Sequence, residues 1–498
     1  MKSWSRFATT MGNREISAVR SVAPDSLLGD VPPEEFREAA RRVSDWMADY
    51  LRDVGGLPVL PAVRPGAVKR LLPPSPPVGG ESLEALLDDF REIILPGITH
   101  WNHPSFFGYF SITGSGPGIL GEMIAAALNV NAMVWRSSPA ATELEGVTMD
   151  WLRQLIGLPA GFDGVINDTA SHSTLYALAA AREVAYPESH GRGLFGLPPG
   201  RIYASDQAHS SVEKAVLTLG FGQAGYRAVP SDGDFRMDVD ALRRMLQEDT
   251  AAGVRPVAVV ATLGTTSTTS VDPVGRIAEV AREFGAWLHV DAAYGGPAAI
   301  LPEVRESFSG WEEAESIVVN PHKWLFTPVD CSVLYSRRPE ILVQAFSIVP
   351  EYLRTAEEGE VRNLMDYGVA LGRRFRSLKL WFVLRYFGRD GLAANIRAHM
   401  DMARELEGWV RSTPGWEIMA PVPFGLVCFR YAPDGTSGEE QDELNQRLLD
   451  GLNRSGEAFL THTRLRGRLT LRLAIGNLKT TRAHVERAWE WLRDAASS

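Results

Sequence analysis

Lys323 stands four residues after the apolar run Ile317-Val318-Val319, with Asn320, Pro321 and His322 between. Most lysines lie on the surface, hydrated and inert. An amine placed directly after a buried strand is desolvated, and a cationic neighbour such as His322 lowers its pKa further, so it becomes a nucleophile. Asp291 closes a second apolar run, Trp287-Leu288-His289-Val290. It could merely cap a helix, but a carboxylate ending a buried strand calls for a cationic partner. A third run, Val165-Ile166, leads into Thr169, Ala170 and Ser171, which open a helix whose first N–H groups can hold an anion.

The elements that must position these groups are legible in the pattern. Gly164–Ile166, Arg201–Ala204, Val257–Ala261, Ala286–Val290, Ile317–Val319 and Ser332–Tyr335 read as buried strands. Helical patterns follow Ser171, Ser210, Asp240 and Pro273. The alternation predicts an α/β domain with a mostly parallel sheet flanked by helices, and ligand groups then gather at the C-terminal strand ends. An amine, a carboxylate and a helix start on one edge are what pyridoxal phosphate (PLP) needs. The amine meets its aldehyde, the carboxylate keeps its pyridine nitrogen protonated, and the N–H groups hold its phosphate.

Before this region, a helix is expected from about Pro33, with Phe36, Ala40, Val43, Met47 and Tyr50 on one stripe. A Pro/Gly-rich connector spans Leu57 to Gly80, and Leu83, Leu86, Leu87, Phe90 and Ile93 mark a second helix ending before Pro96. Two helices on an extended arm make a poor core alone and call for packing on another part of the protein or on another subunit. After about residue 376, helical patterns dominate, interrupted by β-like runs at Leu426–Arg430 and Leu469–Leu473. The expected division is an extension over 1–30 read as disordered, a helical dimerisation segment over 31–100, a large cofactor-binding domain over 101–375, and a small α+β C-terminal domain over 376–498.

Composition narrows the function classes. The 498 residues carry a net charge of -10, from 51 basic and 61 acidic side chains, and no basic block. This disfavours a nucleic-acid partner. No apolar run reaches bilayer length, so no membrane partner is expected, and residues 1–30 lack the apolar core of a secretory signal. The two cysteines, Cys331 and Cys428, offer no metal-ligand spacing or disulfide framework, which fits the cytoplasm. No metal is expected.

Six segments carry a resemblance. Asn320-Pro321-His322-Lys323-Trp324 resembles the cofactor-lysine motif of the group II PLP-dependent decarboxylases, and His289-Val290-Asp291-Ala292-Ala293-Tyr294-Gly295 their pyridine-nitrogen segment. Asp206–Ser211, Ala261–Thr266, Ser138–Glu145 and Gly372–Trp381 match further segments in the family's order. The likeness runs from about Pro33 to the C-terminus and is strongest toward the aromatic-L-amino-acid decarboxylases. It implies a fold type I, aspartate aminotransferase-like architecture and a homodimer with shared active sites.

The resemblance also implies site roles. Lys323 carries the cofactor, Asp291 faces the pyridine nitrogen, and His209 stacks on the ring. Thr266 and Ala293 lie near the ring, with Thr169, Ala170, Ser171, Asn320 and His322 around the phosphate. Asp168 stands where a glycine is frequent and His172 where an acid is frequent. Trp101, Tyr109, Phe110 and Ile112 are implied around the substrate side chain, with Asn131 and Met133 reaching in from the partner subunit. Gly372 matches the small-residue form of a position that is serine in some plant tyrosine-type enzymes, leaving room for a larger ring such as indole. A bland reading exists for several of these: His209 as a satisfied core histidine, Phe106 and Phe107 as core packing.

PLP permits several reactions, and the protein selects among them. Pro350-Glu351-Tyr352-Leu353 matches a mobile family loop whose tyrosine returns a proton to the substrate Cα. The expected activity is decarboxylation of an aromatic L-amino acid to its amine. The alternatives are an aromatic aldehyde synthase, whose members often carry phenylalanine at the loop tyrosine, and a decarboxylase of an acidic amino acid, which the aromatic run around Trp101 disfavours. A nucleotide-binding dehydrogenase lacks its glycine fingerprint here. A scaffold protein would not need Lys323, Asp291, His209 and Tyr352 together.

Overall fold

Short β-branched runs separated by amphipathic segments build a seven-stranded sheet, seen in a computed structural model that describes residues 30–348, 357 and 359–497. The extension read over 1–30 therefore lies outside the described residues apart from Asp30, and so does the loop tyrosine, Tyr352.

The strands are β1 (Asp163–Asn167), β2 (Gly200–Ser205), β3 (Tyr226–Val229), β4 (Arg255–Thr262), β5 (Trp287–Asp291), β6 (Ser316–Val319) and β7 (Ser332–Ser336), in the order β1-β7-β6-β5-β4-β2-β3. Strand β7 is antiparallel to both neighbours, and the other pairs are parallel. The expected mostly parallel sheet is thus present with one reversed strand. Successive residues enter opposite cores, as period-two geometry requires. Ile166, Tyr203, Val259 and Leu288 belong to one, and Val165, Ile202, Val260 and Trp287 to the other. Helices Pro139–Leu155, Ala170–Ala185, Ser211–Thr218, Val239–Ala251 and Val274–Glu283 supply the apolar partners of these faces.

A second sheet is antiparallel throughout, with β8 (Trp416–Ile418), β9 (Leu426–Tyr431), β10 (Thr461–Leu465) and β11 (Arg468–Ala474) in the order β10-β11-β9-β8. Its core joins Val427, Phe429, Leu471 and Leu473 to Leu406 and Val410 of the helix Arg376–Ser412. That helix breaks at Gly388, whose φ of 60° is open to glycine at little cost. Helices Gly438–Ser455, started by a Ser437/Glu440 capping box, and Arg482–Ala496 complete the layer.

The chain forms two compact units that divide between His100 and Trp101. In the first, helix Pro33–Asp53 buries none of its residues. Helix Leu83–Asp89 continues through a π-turn, Phe90–Ile94, and a 3-10 turn, Leu95–Gly97. Trp46 meets Phe90 edge-on at 4.9 Å. The connector expected to be extended contains one short helix, Ala67–Leu71. No helix among the described residues is long and apolar enough to cross a membrane.

Candidate active site

The C-terminal ends of β5 and β6 set the first group. Lys323 sits in the single turn Pro321–Trp324 that follows β6. Burial pulls its pKa down, and Asp291 opposes that shift. The amine therefore has a larger neutral, nucleophilic fraction than a surface lysine. Among the described residues no hydrogen bond or ion pair engages its Nζ, which lies 5.5 Å from the Phe110 ring centroid. Asp291 ends β5, almost fully buried, and one carboxylate oxygen accepts from the Ala293 amide at 3.0 Å. The Ala293 carbonyl accepts from the Asn320 amide at 3.2 Å, which ties the two strand ends together.

His209 precedes the helix Ser211–Thr218, and its Nδ1 accepts from the Ser211 amide at 3.2 Å and meets the Ser211 hydroxyl at 2.8 Å. Its pKa is lowered, first by burial and then by Lys323 against the pull of Asp291. The imidazole is accordingly neutral with Nε2 free of these local bonds. Lys323, Asp291 and His209 thus form one electrostatically coupled group.

The Asn320–His322 pair follows the end of β6. His322 Nδ1 accepts from the Cys331 amide at 2.9 Å, and burial lowers the ring's pKa to about 3. A neutral ring accepting at Nδ1 carries its proton on Nε2. Asn320 Nδ2 is placed 3.3 Å from that Nε2, donor against donor, while Asn320 Oδ1 is buried without a partner. Exchanging the amide's O and N removes the clash, since the two atoms are assigned from hydrogen bonding, and turns the unpartnered acceptor into an unpartnered donor. Oδ1 then accepts from His322, and a buried NH2 is left needing an acceptor. A phosphate oxygen meets that need.

Thr169 caps the helix Ala170–Ala185, so the amides of Ala170 and Ser171 lie in the first turn, whose N–H groups lack intrahelical acceptors. Ser173 in the same helix holds Asn167 of β1 at 3.2 Å and Ser332 of β7 at 3.0 Å. Asp168, the acid in place of a glycine, pairs with Arg376 at 2.5 Å and lies 3.9 Å from His172. Arg376 also binds Asp330 at 2.9 Å. The departure at 168 therefore brings its own counter-charge. Amine, carboxylate, neutral histidine, orphaned amide and helix start together fit PLP.

One ring of the aromatic segment, Phe110, lies beside Lys323. Trp101 stacks on Tyr109 at 5.7 Å, and Phe110 stacks on Tyr294 at 3.9 Å. Phe106 and Phe107 are fully buried, the core role expected of them. Ile112 is half-buried two residues after Phe110. Thr266 has an exposed side chain, and its carbonyl accepts from Arg472 at 2.7 Å. Arg472 was not singled out by sequence. Its guanidinium also takes the Ser267 carbonyl and the Thr461 hydroxyl, each at 2.9 Å, and sits 5.6 Å from the Phe110 centroid. Thr461 in turn accepts from the Tyr109 amide at 3.3 Å. A charged residue inside the apolar run Leu469–Leu473 was the available signal.

Asn131, Met133 and Gly372 form a separate group. Asn131 Oδ1 accepts from the Arg373 amide at 2.9 Å, and the Met133 carbonyl from the Met365 amide at 3.0 Å. Arg373 is buried against Glu145 at 2.8 Å and donates to the Ile166 carbonyl at 2.7 Å, anchoring this group to β1. A Cβ on Gly372 would meet no atom within 4 Å. Among the described residues no hydrogen bond, ion pair or ring contact joins Asn131, Met133 or Gly372 directly to Lys323.

The model of the pyridoxal-dependent decarboxylase conserved domain matches residues 65–432. The chain belongs to the pyridoxal-dependent decarboxylase family. This decarboxylase uses pyridoxal phosphate as its cofactor. It is 42% identical to mouse aromatic-L-amino-acid decarboxylase over 481 residues, covering 93% of this chain and 98% of the relative. It is 39% identical to a phenylacetaldehyde synthase of a Rosa hybrid cultivar, covering 96% and 97%. The structure of Oryza sativa TDC with PLP and tryptamine superimposes with a TM-score of 0.92 at 39% identity, covering 94% of this decarboxylase and 99% of that chain.

Proposed function

We propose that the enzyme decarboxylates an aromatic L-amino acid, of the tryptophan, dopa, tyrosine or phenylalanine class, to the amine and CO2. The observation that carries this reading is the Phe110 ring set 5.5 Å from the Lys323 amine, next in the chain to the Tyr109 that stacks on Trp101. Bound PLP supplies the electron sink for breaking the bond between Cα and the carboxylate. Lys323 holds the cofactor, and Asp291 holds a proton on its pyridine nitrogen. His209 presents a neutral ring face. Asn320, His322 and the helix start after Thr169 hold the phosphate, with Thr266 and Ala293 flanking the ring. Tyr352, assigned from sequence alone, delivers a proton to the substrate Cα.

The substrate ring is bound by Trp101, Tyr109, Phe110 and Ile112, with Asn131, Met133 and Gly372 completing the pocket across a homodimer interface. Support for a second copy comes from the helix Gly116–Leu128, which exposes Leu120, Met123, Ile124 and Leu128 along one stripe. The unburied helix Pro33–Asp53 supports residues 31–100 as a dimerisation segment, followed by a cofactor-binding part to 375 and a small domain from 376. A catalytically competent monomer in sedimentation at assay concentration would remove the shared site. The buried free thiols of Cys331 and Cys428 support a cytoplasmic location.

The experiment is product analysis after incubation with tryptophan, tyrosine, phenylalanine, dopa and glutamate. Amine and CO2 from one or more aromatic substrates, and none from glutamate, is the expected result. Amine from glutamate alone would overturn it. The relationship to a phenylacetaldehyde synthase keeps a second reading, in which aldehyde is the main product; Tyr352 in the loop speaks for the amine.

A further inference from the structure

A chain of buried hydrogen bonds joins the lysine-bearing segment to the aromatic segment. Trp324, next to Lys323, donates its indole N–H to His399 Nδ1 at 3.0 Å. His399 Nε2 lies 3.1 Å from the Asn477 carbonyl oxygen. The Asn477 side-chain amide donates to the carbonyls of Trp101 at 3.1 Å and His103 at 3.0 Å, and its Oδ1 accepts from the Lys479 amide at 2.9 Å. Trp324, His399 and Asn477 are at most 2% exposed.

The chain has one possible direction. An indole nitrogen only donates, so His399 Nδ1 must accept. A carbonyl only accepts, so His399 Nε2 carries the proton. The other tautomer would set two donors against each other at one end and two acceptors at the other. A doubly protonated ring would oppose the Trp324 N–H, and burial already pulls this histidine's pKa down to about 4. The ring planes are fixed as well. Trp324 stacks on Tyr294 at 4.9 Å and 5°, Tyr294 stacks on Phe110, and His399 lies 12° from the Trp324 plane. The bond to His399 adds a directional contact at the indole's edge to the stacking on its face.

We propose that His399, as its Nε2–H tautomer, is a positioning residue that sets the lysine-bearing turn and the Trp101–His103 segment relative to each other. Neither segment bonds directly to the other through these groups. The kinetic part of the proposal rests on the aromatic-substrate reading.

His399→Phe keeps an aromatic ring but removes both bonds, leaving the Trp324 N–H and the Asn477 carbonyl buried without partners. His399→Gln offers one acceptor and one donor. Both holoenzymes are measured per borohydride-reducible PLP. The visible circular dichroism of bound PLP reports its placement on Lys323 without substrate, and kcat and KM are measured with the best aromatic amino acid. For His399→Phe, the expected result is a dichroic band reduced by half or more and a KM raised about tenfold. For His399→Gln, both return to within about threefold of wild type. Trp324→Phe breaks the same bond from its other end, and the double variant is expected to lose little more than either single one. A folded His399→Phe enzyme with the wild-type band and KM, and a deficit only in Tm, would overturn the proposal. If that variant does not fold, wild-type values in Trp324→Phe would do the same. If the wild-type enzyme decarboxylates no aromatic amino acid, the functional reading fails, and the dichroic band still decides the role of His399.

Discussion

The Lys323 amine lies 5.5 Å from the centroid of the Phe110 ring, so the amine proposed to take the cofactor and a ring of the aromatic segment share one wall. Arg472 approaches the same ring at 5.6 Å, and among the described residues no carboxylate pairs with it. A lysine amine and a guanidinium therefore border the ring, and Asp291 is the carboxylate that acts on Lys323.

Asp291→Asn keeps the size of that side chain and removes its charge. PLP retention is expected to weaken, measured by equilibrium dialysis, and turnover to fall on the order of 100-fold or more, a few kcal/mol in barrier. Unchanged kinetics would mean that another group protonates the pyridine nitrogen.

The sequence was most informative where the chain is buried on both sides. Strands β4, β5 and β6 are continuous apolar runs, and Asp291 and Lys323 stand at or just after two of their ends. Strand β3, at the sheet edge, is half-exposed over Tyr226–Arg227 and was not legible. Strand β10 reads Thr-His-Thr-Arg-Leu and lies at the edge of its own sheet, and β8 has only three residues. Residues that act through distant partners were also hidden. His399 meets Trp324 across 75 positions and Arg472 meets Thr266 across 206, and nothing local to either residue announces the pairing. The amide exchange at Asn320 needs the Cys331–His322 bond to be seen first.

Tyr352→Phe retains the ring and removes the acidic hydroxyl. Amine formation is expected to slow strongly. Part of the product shifts to aldehyde, with ammonia and hydrogen peroxide formed at the expense of dissolved oxygen and water. Amine and aldehyde are quantified from the same reaction. Amine at the wild-type rate with no aldehyde would remove Tyr352 from the reaction.

Gly372 has open space where a Cβ would lie. Gly372→Ser is therefore expected to fold normally while narrowing the pocket. The kcat/KM ratio of tryptophan to tyrosine should fall by about tenfold, the usual worth of one added group in a substrate pocket. An unchanged ratio would place the pocket elsewhere.

Three buried histidines set the acid limit of the fold. Burial lowers His289 to about 4, His322 to about 3 and His399 to about 4. Each has a folded-state pKa below its unfolded value near 6.5, so the unfolded chain binds more protons between them. Their contribution is complete above about pH 6.5, is lost progressively as pH falls below that value, and is gone once pH has passed through the folded-state values of about 4 to 3. Urea unfolding of the holoenzyme at pH 7.5, 6, 5 and 4.5 should show a steepening loss. A stability that stays flat to pH 4.5 would contradict this.

The reversed strand β7 has a consequence for how the proposed phosphate cup is assembled. Because β7 runs back against β6, the Cys331 amide reaches His322 across only 9 positions, so the lysine turn closes on itself as a local loop. The bond between Ser173 and Ser332, which brings up the helix start after Thr169, spans 159 positions. Loop-closure entropy grows by about 0.6 kcal/mol per doubling of length, so the second closure costs about 2.5 kcal/mol more than the first. The half that carries Lys323 is locally encoded and closes early. The half proposed to grip the phosphate is a long-range contact and the later to close, and a phosphate bridging the two halves would act as a staple between them.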